Sequence, residues 1–281
     1  MLRALFTFLG LLIVLAFVGV GALLYVFNKF GQDLPDYRQL ANYEPPVMTR
    51  VHAGDGRLLA EYAIEKRVFV PIRAMPKRVV NAFLSAEDKN FYSHPGIDFL
   101  GVARAIVINI KNYGGARRKV GASTITQQVA KNFLLTNEVS WDRKVKEAIL
   151  AFRIERAFSK DRILELYLNE IYLGFGSYGV AAAALNYFDK PLAELTIAEV
   201  AYLAALPKAP NNYHPVRHLE AAITRRNWVI GRMLEDAIIT ADEASLSQAE
   251  PLVARQRSET QFVTAEFFAE HAILRKLPGD P

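Results

Sequence analysis

Three clusters in this chain have residue types and spacings suited to chemistry. The first centres on Glu87. Val79, Val80, Phe83 and Leu84 recur at helical spacing, and steps of three, four and seven from Val80 reach Phe83, Leu84 and Glu87, with Phe91 four further on. A carboxylate on an apolar stripe is costly unless paired. Partial desolvation raises a carboxyl pKa and makes a stronger base, so Glu87 is a candidate general base. The plainer alternative is a glutamate where a helix end meets water. Asp88 falls at the margin of the stripe and Lys89 falls off it.

The second cluster is Gly121-Ala-Ser-Thr-Ile-Thr-Gln-Gln-Val-Ala-Lys-Asn132. Ser123 and Thr124 open a helical segment that then presents Gln128, Lys131 and Asn132. Amides at a helix start, with hydroxyls beside them, suit phosphate oxygens; an ordinary Ser/Thr-capped helix fits the same residues. The third is Arg143-Lys-Val-Lys-Glu147. With Val145, Ala148, Ile149 and Phe152 as the buried stripe, Arg143, Lys144 and Glu147 fall on the opposite face, where a surface Arg–Glu pair four apart is the simple explanation. His214 and His218 have helical spacing, but Pro215 lies between them and no acid completes a ligand pattern.

The elements that must position these residues are mostly helical. Thr49-Arg-Val-His-Ala and Arg57-Leu-Leu-Ala-Glu-Tyr flank a Gly54-Asp-Gly56 turn and predict a hairpin. Arg67 to Ile72 predicts another short strand. From Pro76 onward the periodicity is helical. Thr196 with Glu199, and Thr240 with Glu243, predict capping boxes. Ser159 caps a helix from Lys160 that Gly174 stops, and the Ala181–Ala184 run permits close helix packing.

Lys and Arg number 34 against 29 Asp and Glu, a formal charge of +5. That suits an anionic membrane surface, a phosphorylated substrate or a nucleic acid, and decides among none of them. Cysteine is absent, which excludes disulfides, thiolate metal sites and cysteine nucleophiles. Between Ala4 and Phe27 there is no charged residue, a run long enough to cross a bilayer. It runs on through Leu23, Leu24 and Tyr25 without a clear cleavage site, which predicts a retained transmembrane helix. A stub of residues 1–3 stays in the cytoplasm, the span occupies 4–27, and a polar, proline-containing tether covers 28–46.

The ordered segments resemble the peptidoglycan glycosyltransferase domain of class A penicillin-binding proteins. They are Glu87-Asp-Lys-Asn-Phe-Tyr-Ser-His94-Pro-Gly96, Gly121 to Asn132 and Arg143 to Glu147. Ile163-Leu-Glu-Leu-Tyr-Leu-Asn169 follows with Gly174 and Gly179, then Leu203-Ala-Ala-Leu-Pro-Lys-Ala-Pro210 and Tyr213-His-Pro215. The resemblance implies a mainly α, lysozyme-like domain over 47–220, with a small N-terminal β element and one preceding transmembrane helix. A membrane-dipping jaw would fall on Ile97 to Asn112. Residues 221–281, with Arg225-Arg-Asn-Trp-Val-Ile-Gly-Arg-Met, resemble the helical connector of the bifunctional 1A type. No Ser-x-x-Lys and no Lys-Thr-Gly occurs, so a chain cut short of its transpeptidase domain is the expectation.

The same resemblance implies the chemistry. A growing glycan, held at its reducing end by a lipid diphosphate, is the donor, and the incoming lipid-linked disaccharide (lipid II) attacks with inversion. Glu87 takes the acceptor's proton, and Glu147 is the second catalytic carboxylate, holding the acceptor, a metal–diphosphate unit or the developing positive sugar. Lys131, Arg143 and Lys144 compensate the diphosphate, with Ser123, Thr124, Gln128 and Asn132 as polar contacts. Asp88, Phe91 and His94 complete the substrate-binding set, Phe91 and His94 by shaping the Glu87 loop. A divalent cation, magnesium or manganese, is admitted at the diphosphate but not required, and no protein-held metal is expected. Partners are the lipid-linked glycan, the membrane and cell-wall synthesis proteins, with no nucleic acid. The domain lies on the extracytoplasmic side of the bacterial inner membrane. The rivals are a membrane-anchored lysozyme-like lytic glycosidase, which would need a carboxylic acid rather than cations at its leaving group, and an inactive tethered scaffold.

Overall fold

A computed structural model describes residues 2–32, 34–41, 43, 49–52, 54, 58–62, 66–113, 121–136, 138 and 140–254. The helices are α1 (Leu2–Gly31), α2 (Lys77–Glu87), α3 (Phe99–Lys111), α4 (Ile125–Leu134) and α5 (Trp141–Ala157). They continue with α6 (Lys160–Glu170), α7 (Val180–Phe188), α8 (Ile197–Ala205), α9 (Leu219–Glu235) and α10 (Ala241–Ala249). Among the described residues there are also short 3-10 turns and four short strands, β1 (Thr49–His52), β2 (Leu58–Tyr62), β3 (Lys66–Arg67) and β4 (Ser177–Tyr178), and the structure is mainly α. The chain divides into two compact units, Met1–Asn42 with His94–Ser159, and Tyr43–Ser93 with Lys160–Pro281.

In the first unit α4 packs against α5, and α5 also meets α1. Asp98 starts α3 by accepting from the Gly101 amide at 2.9 Å. Ser140 starts α5 in the same way, through the Arg143 amide at 3.1 Å. Thr124 and Gln127 form a reciprocal capping box at the head of α4. The Thr124 hydroxyl also donates to the Gly96 carbonyl at 2.6 Å, tying α4 to the turn that precedes α3. Gly96 has φ of +101°, and a Cβ there would meet the Ala151 carbonyl oxygen at 2.9 Å, so this turn lies against α5 only because it carries glycine. Along α3 only Ala105 is buried, while Phe99, Leu100, Ile106, Val107 and Ile110 are exposed.

The anticipated span falls on α1, a single unbroken helix with no acid in its first turn and Lys29 in its last. Phe6, Leu11, Ile13, Val14, Phe17, Val18, Leu24 and Tyr25 are exposed along it. Side chains at some other positions of α1 lie outside the described residues, and among the described residues no helix is long and apolar enough to cross a membrane.

In the second unit α2, α8 and α9 pack on one another, with α10 against α8 and α9. Val79, Ala82 and Phe83 of α2 are buried, and Phe83 meets Tyr167 edge-on at 6.4 Å between ring centres. Ala181, Ala182, Ala183 and Ala184 are buried as the alanine run predicts, and Tyr187 and Tyr202 pack edge to face. The capping boxes at Thr196–Glu199 and Thr240–Glu243 both form.

The hairpin is present as antiparallel β1–β2, with Thr49 opposite Tyr62 and Val51 opposite Ala60. Most of its turn, including Asp55 and Gly56, lies outside the described residues. The strand expected over Arg67 to Ile72 is not there. Only Lys66 and Arg67 pair, in parallel with Ser177 and Tyr178. Beyond them the Asn169 side chain takes the place of a neighbouring strand, accepting from the Val70 amide at 2.8 Å and donating to its carbonyl at 2.9 Å. Gly174 is not the stop of α6 either. That helix ends at Glu170, and Gly174 sits in the next turn with φ of +88°.

Candidate active site

The sequence-selected residues fall in both units. In the second unit Glu87 is the last residue of α2, half-buried beside the buried row of Val79, Ala82 and Phe83. Asp88 ends the helix and is 7% exposed, so it is no marginal residue. Its carbonyl accepts from the Phe91 amide at 3.0 Å. Phe91 is fully buried, lies edge-on to Tyr92, and carries the Lys160 ammonium 4.4 Å above its ring. Lys89 is paired with Asp236. Burial pushes the Tyr167 phenol well up, and the Glu87 and Asp88 carboxylates push it further, so Tyr167 stays neutral beside two acids.

Two buried groups whose proton affinity responds to the Glu87 charge escaped the sequence reading. Tyr167 counted only as part of an apolar face. Arg225 on α9 is 9% exposed, and burial lowers its guanidinium below the ordinary value while Glu87 and then Tyr213 raise it. A signal existed. Stepping from Ala222 by three, four, seven and eleven gives Arg225, Arg226, Val229 and Met233, and all five are buried. This is the pattern that singled out Glu87, a charge set into an apolar stripe.

In the first unit the structure brings Ser123, Arg143, Lys144 and Glu147 together. Glu147 is 2% exposed. One of its oxygens accepts from Arg143 and the other from Lys144, whose ammonium also donates to the Ser123 hydroxyl at 2.8 Å. The expected surface pair is therefore a buried carboxylate between two cations. Of the expected stripe on α5 only Ile149 is buried, while Val145, Ala148 and Phe152 are half-buried; the buried residues are Glu147, Ile149, Leu150, Ala151 and Ile154, so the covered face is turned toward Glu147. Arg143 keeps a buried Nε with no hydrogen-bond partner.

Thr124 is buried in its capping box, and Gln128 lies one turn along α4. Lys131 and Asn132 are exposed near the helix end, and Lys131 makes no ion pair among the described residues. His94 is buried and its Nδ1 accepts from the Gly96 amide at 3.1 Å, which makes it a turn-shaping residue. A cleft of about 350 Å³ beside Arg143 is lined also by Pro35, Leu134, Leu135, Ser140 and Lys146. The larger cavity of the second unit, about 380 Å³ around Lys190, Glu199, Arg226 and Glu250, contains none of the sequence-selected residues.

Residues 55–234 match the transglycosylase family. The chain belongs to that family. Among curated relatives of this transglycosylase, penicillin-binding protein 1A of Rickettsia felis is 54% identical over 269 residues, covering 96% of the chain and 34% of the relative. Its counterpart in Aquifex aeolicus is 45% identical over 254 residues, covering 90% and 34%. A solved structure of penicillin-binding protein 1A from Haemophilus influenzae is 27% identical, covering 85% of the chain and 26% of that protein, with a TM-score of 0.44. The chain thus spans about a third of the length of the curated relatives it matches. It is the glycosyltransferase part of such proteins, and its sequence holds no Ser-x-x-Lys.

No group of three or more acidic or histidine side chains that could hold a metal occurs among the described residues of the transglycosylase. Both Glu147 oxygens already accept from cations.

Proposed function

We propose that this chain polymerises lipid II, transferring a glycan from a lipid-diphosphate donor to the sugar hydroxyl of the acceptor with inversion, in a lysozyme-like domain. One observation supports this above the others: Arg143 and Lys144 close on both oxygens of buried Glu147. A leaving diphosphate needs positive charge rather than a proton, and this cluster, with Lys131, keeps more cations than anions. A glycosidase would need a protonated acid at the leaving group. Glu147 is engaged by cations and suits the task of fixing them. Glu87, half-buried at its helix end, is then the base that takes the acceptor's proton. Ser123, Thr124, Gln128 and Asn132 are the polar contacts, and Asp88, Phe91 and His94 hold the turn after Glu87.

We place the domain on the outer face of the bacterial cytoplasmic membrane, anchored by α1. The run from Ala4 to Phe27 holds no charged residue, and its exposed apolar side chains have no role in water. The exposed apolar face of α3 suits shallow insertion beside a lipid-linked substrate. The test is polymerisation by the purified chain in detergent with lipid II alone. Glycan strands are expected. Hydrolysis of preformed glycan, or no turnover at all, would sink the proposal.

A further inference from the structure

We infer that the cleft beside Arg143 holds a membrane phospholipid whose headgroup joins a phosphate to a primary ammonium, as in phosphatidylethanolamine. The inference rests on reading α1 as the membrane anchor.

The chain leaving α1 is fastened to α5. The two helices pack together, and the Arg153 guanidinium on α5 donates to the Gly31 carbonyl at 3.1 Å, one of the acceptors that a helix end leaves without a partner. Further on, the Asp36 carboxylate accepts from the Arg38 amide at 2.9 Å and starts a short 3-10 helix, Tyr37–Leu40, which also lies on α5. Leu40 is fully buried there. Pro35, between these two fastenings, lines the cleft. A helix that crosses a bilayer ends among the headgroups, so the cleft lies at their level. Trp141 agrees with that depth. It stands between the lining residues Ser140 and Asp142 and is 86% exposed, and an exposed indole is most favourable at a membrane–water interface.

The lining selects the headgroup. Pro35, Leu134 and Leu135 supply an apolar side, Lys146 and Arg143 positive charge, and Asp142 and Glu138 negative charge. Lys146, Asp142 and Glu138 make no ion pair among the described residues. Arg143 is engaged by Glu147, but its buried Nε has no acceptor. A simple anion here would meet two acids, and a simple cation would meet two bases. A zwitterion satisfies both, with phosphate oxygens toward Lys146 and ammonium hydrogens toward Asp142. A quaternary ammonium has no hydrogen to donate, and a lipid diphosphate brings only negative charge. The apolar side takes the first carbons of the acyl chains.

The test is native mass spectrometry of the full chain in detergent, titrated with phosphatidylethanolamine, phosphatidylcholine, phosphatidylglycerol and free phosphoethanolamine. One phosphatidylethanolamine should be retained, about tenfold more tightly than either other lipid. K146Q and D142N, neither in the core, should each weaken it by about tenfold and leave polymerisation without added phospholipid at the wild-type rate. Equal retention of the three lipids, or wild-type affinity in both variants, overturns the inference. So does free phosphoethanolamine that binds as tightly as the lipid, which would make the ligand a soluble one. Displacement of phosphatidylethanolamine by an equal concentration of lipid II would give the cleft to the substrate and overturn it too. A wild-type chain that joins no vesicle of any composition removes the anchor itself, and this inference with it.

Discussion

At the scale of single residues, the two carboxylates proposed to take part in the reaction have opposite surroundings. Glu87 ends a helix with part of its surface open to solvent, whereas Glu147 is buried under two cations. E87Q should reduce polymerisation by about 10²–10⁴-fold, the usual worth of a positioned base, with little change in thermal unfolding. Near-normal strand synthesis by E87Q would remove Glu87 from the mechanism. Glu147 should matter to folding as well. E147A leaves two cations facing an empty site and should cost about 3 kcal/mol in chemical denaturation. K144A, at a more exposed partner, should cost about 1 kcal/mol or less. Equal, small losses from both would contradict a buried ion cluster.

At the scale of elements, the turns that place these residues depend on caps and on backbone clearance. The Thr124 hydroxyl closes a capping box at α4 and donates to Gly96, so T124A removes two bonds at once. A loss of about 1–2 kcal/mol is expected, with T124S restoring most of it. Gly179 has φ of +79°, and a Cβ there would sit 2.5 Å from the Asn169 carbonyl oxygen. Asn169 is the residue whose side chain holds Val70. G179A should therefore destabilise by about 2–3 kcal/mol and also loosen the 68–70 segment. Amide exchange at Val70 measures the second effect; unchanged protection there would separate Gly179 from that segment.

At the scale of the whole molecule, the chain corresponds to about a third of its penicillin-binding relatives. Acylation by a β-lactam requires an activated serine, which the relatives supply from Ser-x-x-Lys. Ser123 donates no such pattern and is hydrogen-bonded to Lys144, and Ser159-Lys-Asp-Arg162 also lacks a lysine three residues on. A fluorescent penicillin should leave the chain unlabelled, while a transferase-site inhibitor such as moenomycin, a mimic of the lipid-phosphate donor, should bind and lose affinity in K131A and R143A. A stable penicillin adduct would show a reactive serine that the sequence does not reveal, and full moenomycin affinity in both variants would detach these cations from phosphate binding.

Local rules were enough for much of this protein. The helical periodicity after Pro76, the hairpin, the two capping boxes, the alanine run and the ordered motifs from Glu87 to Pro215 are all legible, because each is set by neighbours within about one helical turn or by a fixed spacing. The Thr124–Gln127 box could have been read by the same rule. Three features could not be read locally. The face of α5 that is buried depends on what α4 and α1 cover, and of the apolar residues Val145, Ala148, Ile149 and Phe152 only Ile149 lies on it. The segment at Val70 is held by a side chain 99 residues away, which no strand propensity encodes. Arg225 is buried only because α9 packs against α8, α2 and α10, elements that its own neighbours in sequence do not encode. Periodicity states that a residue lies on a face; only tertiary packing decides whether that face is covered and which charge it meets there.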